Sequence, residues 1–327
     1  MTEYKKTRKY KVITNKRVDG VFSGDFIVTP DESRRGVDAM TRAAVLSRSG
    51  AIDGAEHSPA GAVFMLEIES REIAAAAPGQ FVMIKCGAGP RYDKGRTAFL
   101  RRPISVGDAN AATGVVRFYY RVAGAGTYWM SYLQRGDMLD IMGPLGNGFR
   151  LSRGRVAIVG GGVGVFPLLF LAKRFNEVNV VPDIYTGFQN AGAVLLHKEF
   201  RQLANEYTLA TDDGSAGQKG FITDIFDGAC DTGARYDDGV KYDGGVKYDA
   251  VYACGPQLMI DALHKICTLR GIKAQYSLEQ RMGCGIGACL TCACAVKAPD
   301  GNTGVVPAFA YARACKDGPV FSSSEYY

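Results

Sequence analysis

The stretch Gly283–Cys294, reading Gly-Cys-Gly-Ile-Gly-Ala-Cys-Leu-Thr-Cys-Ala-Cys, constrains this chain more than any other. Cys284, Cys289 and Cys292 follow a C-x4-C-x2-C spacing, and Cys315 lies downstream as a fourth thiolate. That spacing suits a [2Fe–2S] cluster, in which four soft, anionic ligands converge on two irons and one loop supplies three of them. Such a loop must wrap tightly. Gly283, Gly285 and Gly287 permit the wrap, because a residue without Cβ can take positive φ and let backbone N–H groups approach sulfur. A structural zinc site is the competing reading of four thiolates, although its ligands usually come as paired C-x2-C knuckles. Cys294 alternates with Cys292 along an expected strand and so faces the other way. It reads as a small buried apolar residue.

Four of the nine cysteines fall within eleven residues and the rest are scattered singly, which is no extracellular disulfide framework. A reducing cytoplasm is expected, and the charged opening has no apolar segment of the kind a signal peptide carries. At 327 residues the chain exceeds one ordinary core, so two or three domains are expected. Apolar content of 47% and charged content of 22% are those of a folded globular protein. The net charge of +6 is mild, and much of it lies in Lys5, Lys6, Arg8, Lys9, Lys11, Lys16 and Arg17. This run reads as a solvated basic tail rather than a nucleic-acid contact. Val156–Ala172 approaches the length of a membrane span, but its glycines and Pro167 make it a strand–turn–helix instead.

Residues 1–150 read as a small antiparallel β-barrel, with strand-like pieces at Tyr10–Thr14, Phe22–Val28, Ala62–Ser70, Phe81–Ile84, Ile104–Gly107, Val115–Val122 and Met138–Met142. In Ala62–Ser70, Val63, Met65 and Glu67 face one side and Phe64, Leu66 and Ile68 the other. Residues 29–60 break the pattern and read as a surface insertion. Over residues 151–275, strands alternate with helices, which predicts a doubly wound parallel sheet. Within it, residues 230–249 read as a loop expansion. Tyr236–Asp249 repeats a Tyr-Asp-(x)-Gly-Val-Lys unit, and two copies cannot build a solenoid. Residues 276–327 form the cysteine-rich module.

Arg102-Pro103-Ile104-Ser105 opens a barrel strand with an arginine for anionic phosphate and a hydroxyl for a ring edge, a pairing suited to a flavin. Its weight comes from Tyr119-Tyr120-Arg121 and from Gly126 and Thr127 before an expected helix, where N–H groups can meet a pyrophosphate. Ordinary strand and turn packing is the alternative. Gly160, Gly161, Gly162 and Gly164, between a strand and a helix, stand where a dinucleotide's phosphates bind, or simply make a tight turn. Cys254 ends a later strand, either beside a nicotinamide or packed in the core. Thr211-Asp212-Asp213-Gly214 faces the nucleotide or forms a turn. His57, His197 and His264 have no spacing suited to a metal or a triad, and no catalytic residue is assigned.

The order of Arg-Pro-Ile-Ser, Gly-x-Gly-Thr, Gly143–Phe149, Gly-Gly-Gly-Val-Gly, Cys-Gly-Pro, the cysteine loop and Cys315–Phe321 closely resembles the electron-transfer subunit of class 1B dihydroorotate dehydrogenases, among the ferredoxin–NADP reductase-like flavoproteins. The resemblance spans roughly Tyr10–Val28 and Ala62–Phe321. It implies FAD on Arg102–Ser105, Tyr119–Arg121 and Gly126–Thr127, NAD on the central domain, and a [2Fe–2S] cluster on Cys284, Cys289, Cys292 and Cys315. It also implies an FMN-containing catalytic partner that oxidises (S)-dihydroorotate in pyrimidine (UMP) biosynthesis, in a heterotetramer with two of each subunit. The acid–base chemistry on dihydroorotate then belongs to the partner. The insertion, the repeat and the gap from Cys292 to Cys315 depart from the family. Two other readings compete: an NAD(P)H–ferredoxin electron-transfer subunit, in which an aspartate often replaces the first cysteine, and a zinc-stabilised binding module.

Overall fold

The structure, a computed structural model, describes residues 7–18, 61–87, 98–230, 235–237, 240–242, 245–298 and 309–327. The expected strand Phe22–Val28, the insertion 29–60 and parts of the 230–249 segment lie outside the described residues. Strands β1 (Arg8–Arg17), β2 (Val63–Glu69), β3 (Phe81–Lys85), β4 (Arg102–Asn110), β5 (Val115–Arg121) and β6 (Met138–Leu145) close into an antiparallel barrel in the order β1-β2-β5-β4-β3-β6. Helices α1 (Arg71–Ala74) and α2 (Ala125–Met130) lie in its connections. The Ser70 hydroxyl caps α1 by accepting from Ile73 N–H at 3.0 Å. Much of the basic run is therefore strand β1 rather than tail.

Strand β2 is buried on both faces because two cores need it. Phe64, Leu66 and Ile68 fill the barrel, whereas Val63 and Met65 pack against the next domain. The alternation read from the sequence thus separates two cores instead of core from solvent. Fully buried side chains such as Leu66 and Phe118 each contribute about 1.5–3 kcal/mol of burial free energy.

The second domain comprises β7 (Val156–Gly161), α3 (Val165–Glu177), β8 (Asp183–Phe188), α4 (His197–Leu203), β9 (Tyr207–Thr211), β10 (Gln218–Lys219), α5 (Ile222–Ala229), a hairpin of β11 (Arg235–Asp237) and β12 (Val240–Tyr242), β13 (Ala250–Cys254), α6 (Gln257–Leu269) and β14 (Lys273–Ser277). The cysteine module adds β15 (Ala293–Lys297), β16 (Phe309–Arg313) and β17 (Val320–Ser322). The large sheet runs β10-β9-β8-β7-β13-β14-β17, parallel except for β17. Its strand order reverses between β7 and β13, and ligands of such sheets bind outside the carboxyl ends of the strands at this point. The uncharged run Val156–Ala172 is β7 and most of α3, and among the described residues no helix is long and apolar enough to cross a membrane.

Two features depart from the sequence reading. A boundary at residue 276 would cut through β14, and β17 of the cysteine module completes the sheet by pairing with β14. The repeat segment is also not wholly peripheral. Its two described pieces pair as a hairpin, and Tyr248 is buried, donating to Asp183 Oδ2 at 2.9 Å. Asp183, itself buried, also meets Arg155 at 3.0 Å and Asn205 at 2.7 Å.

Candidate flavin, nucleotide and iron–sulfur site

The cysteine loop brings its thiols together through backbone donors. Cys284 Sγ accepts from the N–H groups of Ile286 (3.4 Å), Ala288 (3.3 Å) and Cys289 (3.4 Å). Cys315 Sγ accepts from Gly287 N–H at 3.1 Å, Cys292 Sγ from Cys315 N–H at 3.4 Å, and Cys289 Sγ from the Thr291 hydroxyl at 3.2 Å. Each of the four sulfurs thus receives a donor, the outer support that metal-bound sulfur takes. Gly285 and Gly287 take the left-handed φ values of +74° and +80° that aim these donors inward. Gly283, expected to share that conformation, does not take it.

The thiols fall into two pairs, Cys284 with Cys289 toward solvent and Cys292 with Cys315 buried. The Thr291 hydroxyl lowers the Cys289 thiol to about 6, while burial pushes Cys315 up to about 12. Four sulfurs on one zinc would stand about 3.8 Å apart, from tetrahedral bonds of about 2.3 Å. Two thiol pairs, one toward solvent and one buried, are an arrangement that a two-iron group takes, with two sulfurs to each iron. Cys294 is buried and donates to Ala312 O at 3.5 Å.

The loop sits on the barrel's outer face. A Cβ on Gly285 would lie 2.6 Å from Met83 Cγ, so the loop backbone presses directly on β3. Met83 is paired with Pro103, and Phe81 with Ser105. Cross-strand partners share a face, so Pro103 and Ser105 lie on the side that meets the cysteine loop. Of the two adjacent arginines, Arg101 is consumed by the barrel, meeting Asp140 at 2.8 Å. Arg102 instead lies along Gly126, where a Cβ would strike its Nε at 2.5 Å. Thr127 Oγ1 accepts from Ala123 N–H (2.9 Å) and Gly124 N–H (3.2 Å), fixing the turn into α2. The structure therefore brings Arg102, Gly126 and Thr127 together, as a phosphate-holding corner requires.

Alternation along strands corrects part of the expected flavin set. Ile104 and Tyr120 point into the barrel, and Tyr120 donates to Asn15 Oδ1 at 3.0 Å. Tyr119 is wedged between domains, stacked on Phe166 at 5.6 Å, and burial pushes its hydroxyl up to about 12. Arg121 stays exposed. Sequence alone does not tell the inside of a small barrel from the outside when both faces are apolar.

At the switch point the glycine loop and Cys254 meet. Cys254 pairs with Gly160 on one side and Ser277 on the other. Gly164 admits no side chain, since a Cβ would lie 2.5 Å from Cys254 O, and at Gly161 it would lie 2.6 Å from Met259 Sδ. Gly162, at φ +53°, faces open space instead, beside the N-terminus of the 13-residue α3. This is a cradle where a phosphate can approach backbone N–H groups. Cys254 is buried, which raises its thiol. Asp213 accepts from Ser215 N–H at 2.9 Å in a turn at the same sheet edge. His264 packs between Tyr276 and Tyr326, and His197 against Tyr207; His57 lies outside the described residues. Glu279 stands near the same sheet edge. It follows β14 within electrostatic reach of Arg121 and Cys254, and close protein surroundings raise its carboxyl although its surface is exposed.

A chain of the NADH-dependent reduced ferredoxin–NADP oxidoreductase superposes with a TM-score of 0.60 at 30% identity, covering 80% of this chain and 84% of that one. The cytochrome b5 reductase domain of Ulva prolifera nitrate reductase superposes at 0.52 with 16% identity, over 83% and 95%, and shares the fold. Barrel, switch point and cysteine loop together define an oxidoreductase of the ferredoxin–NADP reductase-like class, with FAD, NAD and an iron–sulfur cluster as its cofactors. Residues 279–326 match the iron–sulfur cluster binding domain of dihydroorotate dehydrogenase B. The dihydroorotate dehydrogenase B (NAD(+)) electron transfer subunit of Caldanaerobacter subterraneus is 40% identical over 249 residues, covering 76% of this chain and 86% of that protein. The corresponding subunit of Clostridium acetobutylicum is 38% identical over 250 residues, covering 76% and 85%. The chain belongs to this family of electron transfer subunits, and so works with a catalytic partner subunit.

Proposed function

We propose that the chain carries electrons from the FMN of a dihydroorotate-oxidising partner to NAD⁺, in pyrimidine (UMP) biosynthesis in the cytoplasm, as a heterotetramer with two copies of each subunit. Cys284, Cys289, Cys292 and Cys315 hold the [2Fe–2S] cluster. Arg102, Pro103, Ser105, Arg121, Gly126 and Thr127 line the FAD site. Gly160, Gly161, Gly162, Gly164 and Cys254 form the nicotinamide nucleotide site. FAD held there would supply the conversion between single-electron transfer and hydride transfer to a nicotinamide. The chain's own residues bind, align and shield these groups: donors to sulfur hold the cluster, Arg102 and the α2 turn hold phosphate, and the β7–α3 loop holds the nucleotide.

The observation that carries this reading is the seating of the cysteine loop, through Gly285, on the strand pair that bears Pro103 and Ser105. A one-electron carrier and a flavin on that shared face stand next to each other. Anaerobic dihydroorotate is expected to bleach the FAD of the complex co-purified from its native cell, with FMN on the companion chain. A second reading, electron exchange with ferredoxin, is favoured by the 30% identical structural relative. Bleaching by NADH but not by dihydroorotate in the intact complex would establish that reading instead.

A further inference from the structure

Three of the four thiols sit on one loop, but Cys315 is remote in sequence, so tertiary contacts must place it. It lies in a turn that Asp317 closes. The Arg313 carbonyl accepts from Lys316 N–H at 2.9 Å and Asp317 N–H at 2.8 Å. The Asp317 carboxylate returns to Arg313, accepting from its backbone N–H (2.8 Å), Nε (2.8 Å) and Nη2 (3.0 Å). This is a bidentate fork reinforced by a backbone donor, the geometry in which an arginine–carboxylate pair is most directional.

The same turn is tied to the barrel. Asn147, in the Gly143–Phe149 motif, donates through Nδ2 to Asp317 O at 2.9 Å and through its N–H to Gly318 O at 2.6 Å. Its neighbour Gly146 accepts from Gln80 Nε2 at 2.7 Å, and Gln80 O in turn accepts from Val106 N–H at 3.0 Å, one residue past Ser105. A continuous path of hydrogen bonds thus joins the strand of the flavin motif to the turn of the fourth thiol. Arg313 is also within electrostatic reach of the Cys292 and Cys315 sulfurs, and its side chain runs beside Gly287, whose N–H donates to Cys315.

We infer that Arg313 and Asp317 are a positioning pair for the cluster. Their fork shapes the turn that presents Cys315, and their opposite charges cancel beside the buried Cys292–Cys315 edge. The inference rests on Cys315 being a ligand, and it makes a claim that ligation alone does not. Reduction adds a negative charge to a cluster, so an uncompensated guanidinium favours the reduced form and an uncompensated carboxylate disfavours it.

The test is an anaerobic redox titration of the holo complex, following the electron paramagnetic resonance of the reduced cluster in D317N, R313Q and the double variant. The midpoint potential is expected to rise in D317N, to fall in R313Q, and to return close to wild type when both charges are removed. Shifts of the two single variants in the same direction, or unchanged potentials in both, would overturn the inference and leave an ordinary turn. If D317N fails to load a cluster, R313K decides: it keeps the charge and should hold the wild-type potential, and a fall like that of R313Q overturns the pair's electrostatic role. Iron and acid-labile sulfide in the wild-type protein are measured first. Their absence refutes the ligand assignment itself, a failure distinct from that of the pair.

Discussion

Gly285→Ala tests the seating of the cysteine loop on the barrel. At φ +74° an L-residue is strained, which costs about 1–2 kcal/mol. The new methyl would also stand 2.6 Å from Met83 Cγ, 3.2 Å from Leu145 Cδ1 and 3.3 Å from Met142 Cε. Met83 is fully buried and Leu145 nearly so, and overfilling such a core costs about 1–3 kcal/mol. The expected loss is therefore about 2–5 kcal/mol. Gly271→Ala separates the two contributions, because Gly271 has φ +66° and nothing within 4 Å of a Cβ; it should lose only about 1–2 kcal/mol. Thermal unfolding of both variants, with iron measured per chain, makes the comparison, at about 2–4 °C per kcal/mol for a domain of this size. Gly285→Ala should melt lower than Gly271→Ala and hold less iron. Equal melting temperatures and full iron in both would refute the seating.

Other substitutions probe the remaining parts. Cys315→Ser should lose most of the iron whereas Cys294→Ser should keep it, as read by iron and sulfide analysis; equal loss in both would put Cys294 in the ligand set. Thr127→Ala strips the acceptor from two backbone N–H groups at the start of α2, a loss of about 0.5–2 kcal/mol, and should lower the FAD bound per chain while Thr127→Ser retains it. Full FAD in the alanine variant would remove this turn from the flavin site. Burial lowers the His264 imidazole, and its buried Nδ1 has no hydrogen-bond partner among the described residues. The unfolded chain then takes up the proton more readily than the folded one, so stability is lost as pH falls below the ordinary histidine value of about 6.5. Denaturant midpoints between neutral pH and pH 5 should fall less in His264→Phe than in wild type, and parallel slopes would contradict the assignment.

The parts of the fold that were legible had a single strong cause. Ala62–Ser70 carried its own alternation and became β2, and the C-x4-C-x2-C loop carried its own spacing. Other features depended on partners distant in sequence. Val320–Ser322 is too short to announce a strand, yet it completes the large sheet by pairing with Gln275–Ser277. Tyr248 sits in what reads as a repetitive loop, but its hydroxyl reaches the buried Asp183. In the expected flavin motifs, alternation along each strand decides which side chains face outward, and Ile104 and Tyr120 turn into the barrel. The roles of Asn147 and Asp317 were hidden for the same reason: each is an ordinary turn residue until the other end of its hydrogen bond is known.

The central claim is that four thiolates of this chain hold a two-iron cluster beside its flavin. Iron, acid-labile sulfide, zinc and FAD measured together on anaerobically purified protein test it most directly. The account predicts about two irons and about two sulfides for each FAD, with no stoichiometric zinc. Zinc in their place, or iron without acid-labile sulfide, would contradict it.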